Sequence, residues 1–262
     1  QDIGKLFIAG VLPGILAASM YMTTVAIIGW ARPGYLPAGP RSSWPERLKG
    51  LRDIWAMLLL FCFVIGGLYG GLFTPTEAGG VGAGGALIVG VLRGRLGPSE
   101  IRRSLLQATR TAAAVFTVLI GALLFGYFLT VTQTPQNVTA FLTGLGIGSY
   151  GVLALIMVMY IVLGCLMDAL AMVILTVPII FPVIKELGFD PIWFGVIIVM
   201  TVELGLIHPP VGMIVFVIKS VIGDINFSTI FYGVIPFILT DLLRLVILIS
   251  FPIIALWLPS HM

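Results

Sequence analysis

The sequence predicts an all-α polytopic membrane protein, and three observations carry that prediction. Hydrophobic residues make up 59% of the 262 positions and charged residues only 10%, against roughly a quarter charged in soluble domains. Mean hydropathy is +1.15. No charge occurs between Thr111 and Met167, a run long enough for about two helical crossings at ~20 residues each. Continuous apolar runs of this kind exclude a membrane β-barrel, whose strands would alternate apolar and polar residues.

Apolar segments are expected near 6–29, 53–72, 79–92, 111–132, 137–167, 169–184, 192–207, 211–222 and 230–257. Some are too short to cross a hydrocarbon core of ~30 Å. Their Gly and Pro interruptions suggest re-entrant hairpins or broken helices, which lipid tolerates only where protein or water covers the backbone. The first segment carries an internal repeat: "QDIGKLFIAGVLPGIL" (1–16) resembles "GDINFSTIFYGVIPFIL" (223–239). The second copy follows "HPPVG" (208–212), so a partner double-proline segment is expected upstream of Gln1, in a longer polypeptide. Repeats with broken helices in corresponding positions mark secondary transporters.

Between the first segments lie two basic arms, one with Arg41, Arg47, Lys49 and Arg52, the other with Arg93, Arg95, Arg102, Arg103 and Arg110. The positive-inside rule places both in the cytoplasm and the intervening turn "FTPTEAGG" (73–80) on the far side. Each arm reads either as a basic amphipathic helix in the headgroup plane or as an ordinary cytoplasmic loop. "SSWPERLKGLRDIW" (42–55) offers Ser43 and Glu46 as a capping box; "GPSEIRRSLLQATR" (97–110) repeats the plan from Ser99. Cys62 and Cys165 are expected to be two buried thiols.

Four polar groups interrupt the later apolar segments. They are Thr74, Pro75, Thr76 and Glu77; the Thr, Gln and Asn cluster of 129–141, at an expected hairpin tip; Asp168; and "ELGLIHPPVG" (203–212). Between Asp190 and Lys219 the only acid is Glu203. An ionisable residue within a membrane costs about 2.5–3.5 kcal/mol to insert, so Asp168 and Glu203 are candidate functional groups. A helix end in an aqueous crevice or a packing hydrogen bond would also account for either. Pro209 and Pro210 must break a helix and unpair carbonyls one turn earlier. Those carbonyls suit a hard cation such as Na⁺, and a half-helix N-terminus suits an anion. Gly205 and Gly212 flank the break and permit close approach or unusual torsions. His208 reads as a structural histidine or as part of that hollow; without a second His nearby it makes no zinc site. "LGFDP" (187–191) is a turn. Walker A, GxSxG, HExxH and CxxC patterns are absent from the sequence, so an enzyme is not expected. Nor is a nucleic-acid partner, at a net charge of +3.

"GLFTPTEAGGVGA", "LGCLMDALAMVILTVPIIFPVIKELGFDPIWFGVI" and "ELGLIHPPVGMIVFVI" together resemble the large membrane subunit of tripartite ATP-independent periplasmic (TRAP) transporters. "DIGKLFIAGVLPGIL" resembles the middle of that subunit, so the chain looks like its C-terminal part. The resemblance implies a multi-pass protein of the bacterial inner membrane, one of two inverted repeats plus scaffold helices, importing an organic acid by an elevator mechanism with Na⁺ as coupling ion and no other cofactor. The implied partners are a small membrane subunit, separate or fused, a periplasmic substrate-binding protein and the phospholipid bilayer. Residues 1–110 would be mainly scaffold and arms, 111–222 mainly transport-domain hairpin and broken helices, and 223–262 the terminal helix. Ion and substrate contacts are expected at Gly164, Asp168, Glu203, His208, Pro209, Pro210 and Gly212, with Thr74, Pro75, Thr76 and Glu77 as a second group. The Na⁺ site is expected near Gly205, His208, Pro209 and Asp168. The family commonly has Thr where His208 stands, which bears on whether a hydroxyl helps hold the ion there. An elevator carboxylate transporter working without a binding protein, or a non-transporting membrane scaffold, are the alternative readings of the same residues.

Overall fold

The computed structural model describes residues 3–32, 34, 39, 43–208, 212–223 and 226–261. Among them every regular element is helical. In chain order they are α1 (Ile3–Ala9), α2 (Val11–Ala31), α3 (Trp44–Tyr69), α4 (Pro75–Leu92), α5 (Pro98–Val131), α6 (Thr134–Gly144), α7 (Gly148–Gly164), α8 (Ala169–Glu186), α9 (Pro191–Ile207), α10 (Met213–Ile222), α11 (Phe227–Ser250) and the short α12 (Ile253–Leu256). Five stretches are long and apolar enough to cross a membrane: α1–α2 together, α4, α5, α8 and α11. The two parts of α3, Trp44–Arg52 and Ile54–Tyr69, meet at 55° and add a sixth if taken as one span. The basic arm is thus set at an angle to the apolar span. The all-α polytopic prediction holds.

Local chemistry explains most helix ends. Glu46 reaches back to accept from the Ser43 backbone N–H at 2.7 Å, as the capping box requires. At α4 the box is complete: the Thr74 N–H donates to Glu77 at 2.8 Å and the Glu77 N–H to the Thr74 hydroxyl at 3.3 Å. Pro75 sits at the first helical position, where its missing N–H costs nothing. Asp190 caps α9, accepting from the Ile192 and Trp193 N–H groups at 2.8 and 3.0 Å, so "LGFDP" is the expected turn.

Three expectations need correcting. Glu77 lies in the first turn of α4 rather than in a loop. The second arm is not a separate helix: it runs unbroken into the span as α5, because the residues after Arg110 are alanines and other helix formers. The apolar stretch 137–167 divides into α6 and α7 at Gly146 and Gly148, both with positive φ (69° and 73°). In addition, Cys62 is exposed on α3, whereas Cys165 is buried as expected.

The core surrounds α9. A helix apolar all round is buried, and at 17 residues α9 is about 25 Å long, short for a full crossing. Trp193 and Ile197 on α9, Tyr160 on α7, and Met172, Val183 and Ile184 on α8 form its centre. The Trp193 indole N–H donates to the Leu248 carbonyl on α11 at 2.9 Å, so the ring is buried without an orphan donor. α1, α7, α8, α11 and α12 all pack on α9, α2 packs on α11, and α3 and α4 pack mainly on each other. Outward surfaces carry large apolar side chains, among them Trp30, Phe116 and Tyr127, as a lipid-facing surface should.

The positive-inside topology gives a direct test. Single cysteines at Leu72, in the α3–α4 turn, and at Ser99, at the start of α5, should label from opposite sides of the membrane. Labelling of both from one side would refute the orientation.

Candidate functional site

α7 and α8 form a helical hairpin. The Tyr160 and Thr176 hydroxyls hydrogen-bond across it at 2.6 Å, and Cys165–Met167 make the tip. Asp168 follows the tip as the N-cap of α8, its carboxylate accepting from the Leu170 and Ala171 N–H groups at 3.0 and 3.3 Å. The positive end of α8 therefore already faces a carboxylate of its own chain. Asp168 is exposed and Gly164 buried.

Backbone-to-backbone contact joins this tip to the end of α9. A Cβ added at Gly205 would stand 2.8 Å from the Gly164 Cα and 3.2 Å from the Ile161 carbonyl oxygen. One added at Gly164 would stand 3.0 Å from the Gly205 Cα. The approach at Gly205 is closer than real Cβ atoms make and that at Gly164 is at the tight limit, so the pair is the small-residue device by which membrane helices approach. Two residues past Gly205, α9 ends. His208 is extended (φ −75°, ψ 140°) and its N–H donates to the Leu204 and Gly205 carbonyls. The His208 carbonyl accepts from the Cys165 thiol at 3.6 Å. The chain resumes at Gly212 in the left-handed region (φ 54°), where an added Cβ would meet the Ile207 and His208 carbonyl oxygens at 3.2 and 3.3 Å. Gly205 and Gly212 thus supply the close approach and the unusual torsion expected of them.

The structure accordingly brings Gly164, Gly205, His208 and Gly212 to one place, where the hairpin tip that leads to Asp168 meets the end of α9. Pro209 and Pro210, expected to cause the break, lie outside the described residues, which flank it on both sides. Among the described residues the Leu204 and Gly205 carbonyls accept from the His208 N–H; carbonyl oxygens are donors of the kind that suit a hard monovalent cation. No group of three His, Cys, Asp or Glu side chains able to hold a metal occurs among the described residues. The His208 Nδ1 is buried without a hydrogen-bond partner among them. Thr74, Pro75, Thr76 and Glu77 stand elsewhere, as the N-cap and first turn of α4, with the Thr74 hydroxyl also donating to Glu77 at 2.9 Å.

Comparisons with known proteins identify the family. Residues 1–254 match the family model described as the tripartite ATP-independent periplasmic transporter, DctM component. The chain belongs to this family. Among its relatives, the C4-dicarboxylate TRAP transporter large permease protein DctM of Pseudomonas aeruginosa is 37% identical over 99% of the chain and 60% of the relative. The sialic acid TRAP transporter large permease protein SiaM of Vibrio cholerae is 33% identical, with the same coverage. The 2,3-diketo-L-gulonate TRAP transporter large permease protein YiaN of Escherichia coli is 32% identical over 96% of the chain and 59% of the relative. The chain spans about three fifths of the length of these relatives. All three are named as permeases, not as enzymes.

In this TRAP permease chain, Glu203 joins a second polar group rather than the tip. It faces Arg244 of α11 at 3.9 Å, and Arg244 pairs with Asp241 at 2.9 Å. The Tyr21 hydroxyl on α2 reaches Asp241 at 2.6 Å, and the Thr24 and Thr240 hydroxyls hydrogen-bond at 2.7 Å. Sequence reading missed Tyr21 and Asp241. The available signal was the i,i+3 pair Asp241 and Arg244 within an apolar span. Removing one partner of such a buried pair costs about 3–5 kcal/mol, because the other charge is left uncompensated.

The glycine crossing is testable by substitution. Gly205→Ala should destabilise the folded protein by about 1–3 kcal/mol, the ordinary cost of overpacking, and separate the tip from α9. Thermal unfolding in detergent measures it; an unchanged Tm would show that the two backbones are not in contact.

Proposed function

We propose that this chain is the C-terminal part of a Na⁺-coupled importer of organic acids in the bacterial inner membrane. The observation that supports this most is the meeting of the α7–α8 tip with the broken α9–α10 helix across Gly164 and Gly205. A hollow there would be lined by oxygen atoms of the α9 terminus and by the tip at Asp168. Three relatives named for C4-dicarboxylate, sialic acid and 2,3-diketo-L-gulonate transport support an acid as cargo. In this reading His208 contributes backbone oxygen, so a threonine hydroxyl is not needed at that position. Pro209 and Pro210 keep the helix from closing over the hollow.

The same reading includes an elevator movement, a small membrane subunit and a periplasmic substrate-binding protein. The mobile part would be the cluster around α9, and the static part would include α3 and α4, which pack mainly on each other. Because α1 packs on α9 and α2 on α11, residues 3–31 would travel with the mobile part, although they fall within the 1–110 region read from sequence as mainly scaffold.

Asp168→Asn tests the coupling cleanly, because asparagine caps helices as well as aspartate does and only the charge is lost. The variant should insert and fold normally while its uptake loses Na⁺ dependence. Pro209→Ala combined with Pro210→Ala should likewise lose Na⁺ affinity without losing stability. Parental Na⁺ dependence in both would refute an ion site at this break.

A further inference from the structure

The most deeply buried charges among the described residues lie away from the hairpin tip. Arg244 and Asp241 are only 6% and 4% exposed. Asp241 is well supplied with donors: the Tyr21 hydroxyl reaches both of its oxygens, at 2.6 and 2.7 Å, and Arg244 approaches at 2.9 Å. Arg244 also stands over the Tyr21 ring at 5.8 Å. Its own needs are not met, since its Nε is buried without a hydrogen-bond partner among the described residues. Glu203 is the other carboxylate within reach, at 3.9 Å. That is too long for a hydrogen bond but within ion-pair reach, with the Arg244 end buried and the Glu203 end exposed. The two groups line a cavity of about 210 Å³ whose walls also include Leu6, Gly10, Pro13, Gly195 and Met200.

Glu203 stands two residues before Gly205 and five before His208, so whatever holds it also holds the terminal turns of α9. Arg244 is in turn fixed through Asp241 and Tyr21 to two helices that are 220 positions apart in sequence. We propose that Arg244 is a positioning residue for the cation site: anchored to α2 and α11, it holds Glu203 and thereby keeps the end of α9 in register with the hairpin tip. This rests on the Na⁺ site proposed above. Arg244 and Glu203 touch neither the tip nor the ion; they act through the placement of α9.

The test uses the complete permease with its partner subunit, purified, and reads the rise of Tm with Na⁺ against choline, so that no substrate need be known. Glu203→Gln removes one charge at an exposed side chain and should raise the half-saturating Na⁺ concentration roughly five- to tenfold, the scale of a coupling between separate sites. Asp241→Asn with Arg244→Gln removes both charges of the buried pair, so Tm without Na⁺ should stay near the parent while the same loss of Na⁺ affinity appears. Adding Glu203→Gln to that pair should bring no further loss, because the residues act in one chain. Parental Na⁺ affinity in Glu203→Gln, or an additive loss in the triple variant, would overturn the positioning role. Should the paired substitution unfold the protein, Glu203→Gln alone still decides. If the parent shows no Na⁺ response, the ion site itself is refuted rather than the role of Arg244.

Discussion

Everything at the candidate site depends on two backbones touching where there are no side chains. Gly164 ends α7 and Gly205 lies in the last turn of α9, and each occupies the space that the other's Cβ would need. In a membrane, helices gain nothing from hiding apolar surface from each other; close packing and interhelical hydrogen bonds hold them together. The contact lets α7 lie along α9, the most extensive helix pairing in the structure, and brings the Cys165 thiol to the His208 carbonyl. A larger residue at either position would separate the tip from the helix end and leave neither with a partner.

The second constraint is the cost of polar atoms in an apolar chain. Most are settled locally. The hydroxyls of Thr117, Thr130, Thr139 and Thr201 donate to carbonyls one turn earlier, a pattern that satisfies the hydroxyl without a tertiary partner. Asp168 and Asp190 are settled as caps of α8 and α9. Against that background two places differ. One is the end of α9, where the His208 carbonyl accepts from the Cys165 thiol of the hairpin tip. The other is the Tyr21, Asp241 and Arg244 group, where burial is balanced by partners from distant parts of the chain.

Which features were legible in the sequence follows from how local their causes are. The cap at Ser43, the turn before α9, and the interruption between Gly205 and Gly212 have causes within a few residues and were read correctly, whereas the equally local cap at Thr74 was read as part of a turn. The division between α6 and α7 was missed because its signal, a pair of glycines taking positive φ, is outweighed by the apolar residues around it. The merging of the second arm into α5 was missed because arginine is as good a helix former as its apolar neighbours. The Gly164–Gly205 crossing and the Tyr21–Asp241 bond were beyond local reading altogether, since each joins segments that only the folded chain brings together. Family resemblance pointed to this region of the chain but gave no account of the close approach of Gly164 and Gly205.

The central claim is that the hairpin tip and the broken end of α9 are in contact, and cross-linking measures that directly. With Cys62→Ser removing the exposed thiol, His208→Cys can be paired with the native Cys165 in the complete permease and treated with a short bifunctional thiol reagent. The account predicts near-complete joining of the two peptides, identified by mass spectrometry after proteolysis. Reaction of both cysteines with a monofunctional maleimide, but no joined peptide, would contradict it.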